Sequence, residues 1–318
     1  MHNELIYANI GFIHQQKGEG QMKKIIKPTV DCVFKAILGS EENKPLLINF
    51  LNAVLGLIDR QKIQDVHLLN PYNEREFQDD KLSIIDIKAI DESGNFHQID
   101  VQISVYRWLA ERMLFNWASI YHSQLTSGQD YTQLKPTTSI WLLEDALFSP
   151  EKIAEPLLKN KYQHLNFKPY DLNVKIYLSD HLDIHILQLP FFDPNQFIRD
   201  DKDRWLYFFK EGHNIELKDL PENIKTKEII KAMETLNHFS NDQKAYLLYQ
   251  ERLESKRVAS TWQSLLKQKD SEIQKKDSEI QRNVFEIQRN VFEIQRRDSE
   301  INQLKSLIRK YEKNQMIV

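Results

Sequence analysis

Residues 81 to 104, KLSIIDIKAIDESGNFHQIDVQIS, contain two β-type runs separated by Asp91-Glu92-Ser93-Gly94-Asn95, and this turn constrains the chain more than any other segment. Asp, Ser, Gly and Asn are turn formers, and a three-residue loop ending in Gly94 suits a hairpin whose last loop residue is left-handed. If Asp91 and Asn95 close that loop, position 86 lies opposite position 100. Directly opposed residues of an antiparallel pair have Cβ atoms about 4.5 to 5.5 Å apart. Gln102 shares the face of Asp100, because side chains alternate with period two. The predicted register therefore brings Asp86 and Asp100 together with the Gln102 amide beside them.

Two unshielded carboxylates at that spacing repel, so a fold that keeps both raises one pKa or binds a cation between them. Mg2+ is served by one or two carboxylates, retained waters and substrate phosphate oxygens. Bound there, it would polarise a phosphodiester and lower the pKa of a water nucleophile. A solvated Asp on the open face of a hairpin is the more common outcome for a bare Asp, thirteen residues, Asp-x-Gln pattern.

More of the chain bears on the choice. The hairpin is followed by ERMLFNWASIYHSQLTSGQDYTQLKPTTSIWLLEDALF and preceded by PTVDCVFKAILG at 28 to 39 and FLNAVLGL at 50 to 57. Downstream come IHILQLPFF at 184 to 192 and RWLYFFKEG at 204 to 212. In this order the blocks, which span residues 22 to 250, closely resemble the bacterial Rpn family, recombination-promoting nucleases also described as putative transposases of the PD-(D/E)XK superfamily. The resemblance implies an α/β fold, a restriction-endonuclease-like mixed sheet flanked by helices. It also implies a metal-dependent DNA endonuclease that uses Mg2+ or another divalent cation.

Position by position, the resemblance makes Asp86 the first metal-binding Asp and Asp100 the carboxylate that opens the (D/E)XK element, with Gln102 where its Lys would stand. Relatives commonly carry Gln there after a Glu, so Asp100 is the shorter carboxylate. Gln102 can orient a water but has no charge to stabilise a developing anion. LPFF at 189 to 192 also lacks a Lys that relatives often place before the last Phe. The resemblance adds three secondary candidates. Asp31 would approach the metal from the first helix, although its place in a first turn capped by Thr29 already accounts for it through the helix dipole. Arg112 would reach phosphate, and Gln124 matches a family position; an Arg on a helix flank is otherwise solvated or paired.

Composition excludes several classes. No run approaches the ~18 apolar residues of a membrane span, and the single Cys32 rules out an intrachain disulfide and a Cys-cluster zinc site. With no secretory signal, a cytoplasmic location is expected. The histidines, including His164, His181 and His185, lack supporting ligands and read as surface or packing residues. Residues 22 to 145 hold 13 Lys plus Arg against 17 Asp plus Glu, a balance of −4, so this part carries no obvious basic DNA-binding footprint. Residues 255 to 318 hold 14 against 9, or +5, and could supply nonspecific attraction to DNA.

The chain is expected to divide into three. Residues 1–21 are a non-native or disordered extension, with translation starting at Met22. Residues 22–254 form the nuclease-like domain. Within it, two helical stretches fall between 31 and 57, and an amphipathic helix carries Tyr106, Leu109, Met113, Trp117, Ile120 and Tyr121 and stops near Gly128. A central strand spans Thr138 to Leu143, and a second hairpin pairs Val174 to Leu178 with Asp183 to Leu189. A helical stretch covers 202 to 250 and packs Trp205, Leu206, Phe208 and Phe209 on the core. Residues 255–318 form a heptad-repeat tail that places Ile273, Ile280, Ile287, Ile294 and Ile301 on one seam. The companion positions read Asp270, Asp277, Val284, Val291 and Asp298, so a weak coiled-coil homodimer is expected. A reading of another class remains open: a catalytically weak or inactive DNA-binding or assembly protein that oligomerises through this tail.

Overall fold

The computed structural model describes residues 24–70, 85–148 and 161–315. The proposed extension 1–21 and the start of the first β-run, 81–84, lie outside them. The chain divides into two compact units, Met1–Glu254 and Ser255–Val318.

The first unit opens with α1 (Asp31–Leu38) and α2 (Lys44–Leu55). Val33, Phe34, Ile37 and Leu38 of α1, and Leu47, Phe50, Leu51 and Val54 of α2, are buried at helical spacing. Asp31 occupies the first turn as expected, but Val30 is the N-cap residue and makes no side-chain capping bond. Thr29 instead turns its hydroxyl to the Glu144 carboxylate, a long-range acceptor that the local reading could not see.

Six strands form one mixed sheet: β1 (Val66–Leu68), β2 (Ile87–Asp91), β3 (Phe96–Gln102), β4 (Thr137–Leu143), β5 (His164–Phe167) and β6 (Leu182–Gln188), in the order β1-β2-β3-β4-β6-β5. The pairs β3–β4 and β4–β6 are parallel and the rest antiparallel. Parallel neighbours need a crossover, which α3 (Leu109–His122) supplies between β3 and β4. Every residue of β4 is buried, as its near-continuous apolar run and central place require. One face of the sheet packs Leu109 and Met113 of α3 on Trp141, Leu143, Ile184 and Ile186. On the other lie α1, α2, α4 (Asp201–Glu211) and α5 (Lys227–Asn241). Here Trp205 meets Phe50 edge-on at 5.7 Å and stacks near Phe209 at 5.8 Å.

The β2–β3 hairpin has the expected register. Ile87 pairs with Ile99 and Ile90 with Phe96, while Asp91 N–H donates to Asn95 O and Gly94 N–H to Asp91 O, each at 3.0 Å. Asp91 is buried, and its carboxylate accepts from Ser93 N, Asn95 N, Asn95 Nδ2 and His97 Nε2 at 2.8 to 3.0 Å. Burial alone would raise its pKa; the hydrogen bonds from His97 and Asn95 outweigh that and hold it below the usual carboxylate range. Gly94 has φ +85°, and a Cβ there would meet only ordinary contacts. Gly94→Ala should therefore cost about 1–2 kcal/mol through backbone strain alone, read as a lower urea midpoint; an unchanged midpoint would mean the turn has another way to close.

Three further expectations need correction. The helix after the hairpin ends at His122, six residues before Gly128, and Tyr106 precedes it. The second hairpin does not form. The antiparallel partner of β6 is β5, while Asp171 accepts from Asn173 and Val174 N–H and curls its segment into a local turn bridged by Tyr170 and Tyr177. Val174, Ile176 and Leu178 are exposed there instead of paired. The helical stretch at 202 to 250 is three helices, α4, α5 and the start of α6 (Gln243–Gln315), although Trp205, Leu206, Phe208 and Phe209 are buried as expected.

α6 runs for 73 residues. Tyr246, Tyr249 and Leu253 pack on the first unit's core, whereas the Ile seam from 273 to 301 is 46% to 61% exposed. No described helix is long and apolar enough to cross a membrane.

Candidate active site

β2 begins at Ile87, opposite Ile99, and Asp86, the residue before it, meets Asp100 near the ends of β3 and its parallel neighbour β4. Each carboxylate is braced by the other strand. Val101 N–H donates to Asp86 Oδ2 at 2.9 Å, and Asp86 N–H donates to Asp100 Oδ1 at 3.3 Å. Asp100 lies beside Trp141 of β4 in register and is 2% exposed. The Gln98 amide, two residues earlier on the same face, donates to Asp100 Oδ2, and its own Oε1 is buried without a hydrogen bond among the described residues.

Burial, then repulsion from Asp86, pushes the Asp100 pKa up to about 7. Burial also raises that of Asp86, against the opposing pull of the Val101 N–H and of Lys35. These are the properties of a carboxylate pair waiting for positive charge. Lys35 of α1 supplies one charge, with its Nζ 3.2 Å from Asp86 Oδ1. Arg112 of α3 supplies a weaker one toward Asp100, with its Nη1 donating to Tyr106 Oη at 3.1 Å.

Gln102 lies two residues after Asp100 on β3, and its Nε2 donates to Ser104 O at 3.0 Å. Asp31 stands one helical turn before Lys35; it raises the Asp86 pKa and lies 3.8 Å from Arg252 Nε. Gln124 is not part of this group. It accepts from Lys135 N and donates to Thr137 Oγ1, both at 2.8 Å. Thr137 aligns with Phe96, four residues and roughly 13 Å along the strand from Asp100. Its amide therefore fastens the loop that enters β4.

Lys35 and Gln98 were missed by sequence reasoning. The i, i+4 spacing of Asp31 and Lys35 and the period-two spacing of Gln98 and Asp100 are visible signals, but neither says which strand the helix faces. A third omission lies at the end of β4, where Glu144 takes Lys27 Nζ at 3.4 Å as well as the Thr29 hydroxyl, and its N–H donates to Gln102 O at 3.0 Å. On the far edge of the sheet, His164 Nε2 and His185 Nδ1 are 2.8 Å apart and His185 Nε2 is 3.0 Å from Asp183, so these residues form a packed polar chain. Burial, followed by the neighbouring His185, lowers the His164 pKa to about 3.

Among the described residues no three His, Cys, Asp or Glu side chains converge on one point. The donor set at the Asp86–Asp100 pair is thus two hard oxygen carboxylates with an amide nearby. It fits a divalent cation that keeps waters and takes phosphate oxygens, and does not fit a closed zinc cage.

The family model for PD-(D/E)XK nuclease family transposases matches residues 28–269. No curated protein and no solved structure matches the chain. The matched span includes α1, the β2–β3 hairpin, α3 and β4, which surround the carboxylate pair, and it covers most of the sequence. The chain belongs to the PD-(D/E)XK nuclease family transposases.

Proposed function

We propose that this protein is a Mg2+-dependent DNA endonuclease acting in recombination or on mobile elements, with Asp86 and Asp100 as its metal ligands and Gln102 beside them. The observation that carries the reading is the braced pair itself: a buried Asp100 and a part-buried Asp86 tied to each other's strands by backbone N–H groups, with raised pKa values and, among the described residues, no third acid to complete a structural cage. A divalent ion held there would supply the charge that polarises the phosphodiester and makes a water acidic enough to attack. Gln98 and the Asp86 N–H hold the Asp100 carboxylate in one orientation, so its oxygens need not reorganise when the substrate arrives. Gln102 positions water by hydrogen bonding. Supercoiled plasmid incubated with Mg2+ should be nicked, and EDTA should abolish nicking. Intact plasmid under both conditions would favour the alternative of a non-cleaving DNA-binding or assembly protein.

Lys35 supplies the cation that Gln102 lacks, from α1 instead of from β3. Lys35→Met should slow cleavage by about 10- to 100-fold, and Gln102→Lys in that background should recover most of the loss. Gln102→Lys alone should preserve or raise the rate. A Lys35→Met variant that cleaves at the wild-type rate would remove Lys35 from the machinery.

The exposed Ile seam of α6 serves self-association. Sedimentation of the full-length protein, beside a form ending at Glu254, should show association only with the tail present.

A further inference from the structure

Once the tail is taken to self-associate, which is the reading this inference rests on, its charge pattern decides the direction. We infer that α6 pairs with a second copy of itself in antiparallel orientation, with the two-fold axis at Arg289. The helix is continuous through the whole repeat, so heptad positions can be assigned without a break. The d row is Ile273, Ile280, Ile287, Ile294, Ile301 and Ile308; the a row is Asp270, Asp277, Val284, Val291, Asp298 and Lys305. The Ile seam and both Val residues are between 46% and 61% exposed, whereas Phe285 and Phe292 stand at b positions outside the seam. The apolar surface is therefore centred on residue 289 and fades toward both ends into charged a positions.

Either direction of pairing covers that central patch, so apolar burial does not discriminate. Charge does. In a parallel, in-register pair each a residue faces its own copy, which sets Asp270, Asp277 and Asp298 each against the same carboxylate and Lys305 against the same ammonium. Four of six a layers would then bury like charges, at a cost that no partner offsets. In an antiparallel pair a residues face d residues. Centred on 289, Val284 meets the partner's Ile294 and Ile287 meets the partner's Val291, giving an uninterrupted apolar middle. Beyond it, Ile280 meets the partner's Asp298, Asp277 the partner's Ile301, and Ile273 the partner's Lys305. No charged residue faces its own kind across a layer. One diagonal contact, Asp277 with the partner's Asp298, remains unfavourable, and another, Asp270 with the partner's Lys305, is attractive.

The flanking rows add no opposing preference. The e row is Gln274, Gln281, Gln288, Gln295 and Asn302, neutral in either direction. Ile at d also works against a parallel dimer, since that arrangement favours Leu there. Antiparallel pairing brings the two chains into the rod from opposite ends. Their Ser255 residues then lie about 100 Å apart at ~1.5 Å per residue, the length of roughly 30 base pairs at ~3.4 Å each.

The test uses the full chain with Cys32→Ser and Gln268→Cys, the latter at an exposed position outside both seams, carrying one nitroxide label per chain. Double electron–electron resonance should give an intermolecular distance near 60 Å for the antiparallel rod, against about 20 Å for a parallel one. Sedimentation is run on the same samples. A 20 Å distance in an associated sample overturns the antiparallel assignment and leaves tail pairing intact. A monomer without dipolar coupling at micromolar concentration overturns both.

Discussion

Asp100→Asn should reduce plasmid cleavage by about 100-fold or more while leaving the metal-free protein as stable as the wild type, or more so, at pH 8. The two effects have one origin. Asp100 is buried beside Asp86 with its pKa raised to about 7, so at pH 8 the fold holds a charge that the unfolded chain would carry at less cost. The stability contribution of such a group is fully present below its unfolded pKa and is lost as pH rises through the folded value. Asn keeps the shape and removes the charge. Melting should therefore show a gain on the order of 1–3 kcal/mol at pH 8 that shrinks toward pH 4. Asp86→Ala should likewise abolish cleavage with the fold retained, since Asp86 is the other ligand of the pair. Wild-type nicking by both variants would sink the assignment of this pair.

Cleavage by the wild type should fall about tenfold per pH unit below pH 7 at limiting Mg2+ and recover as Mg2+ is raised. Binding a divalent cation requires Asp100 ionised, so near pH 6, about one unit below its pKa of about 7, association should release close to one proton. Calorimetry in buffers of different ionisation enthalpy reads that proton directly, without DNA. In the Asp100→Asn protein the buffer dependence should vanish. A pH-independent Mg2+ affinity between pH 6 and 8 would show that the cation does not contact Asp100.

Much of this site was legible in the chain. The turn formers at 91 to 95, with glycine at the one left-handed position, determine the hairpin register, and period-two alternation then places Asp86, Asp100 and Gln102 without reference to any other element. Both first helices, the central strand and the heptads of α6 were visible for the same reason, because each is a local periodicity. What failed locally also has a physical cause. Val174 to Leu178 has strand composition, yet Asp171 offers nearby backbone N–H groups a carboxylate, and the sheet edge is taken by His164–Phe167. β-Propensity alone does not decide which of two segments pairs.

The sequence by itself determined which residues are neighbours along a strand or helix, and therefore that two carboxylates oppose each other. Only the tertiary structure decided their chemistry. Lys35 is 51 positions from Asp86, and nothing periodic connects them; packing of α1 against the sheet brings its ammonium to 3.2 Å. The burial that lifts the Asp100 pKa to about 7 arises where β4 lays Trp141 beside it, a contact 41 residues away. A pKa depends on everything that displaces water from a group, and that shell is assembled from segments whose separation in the chain carries no local signal.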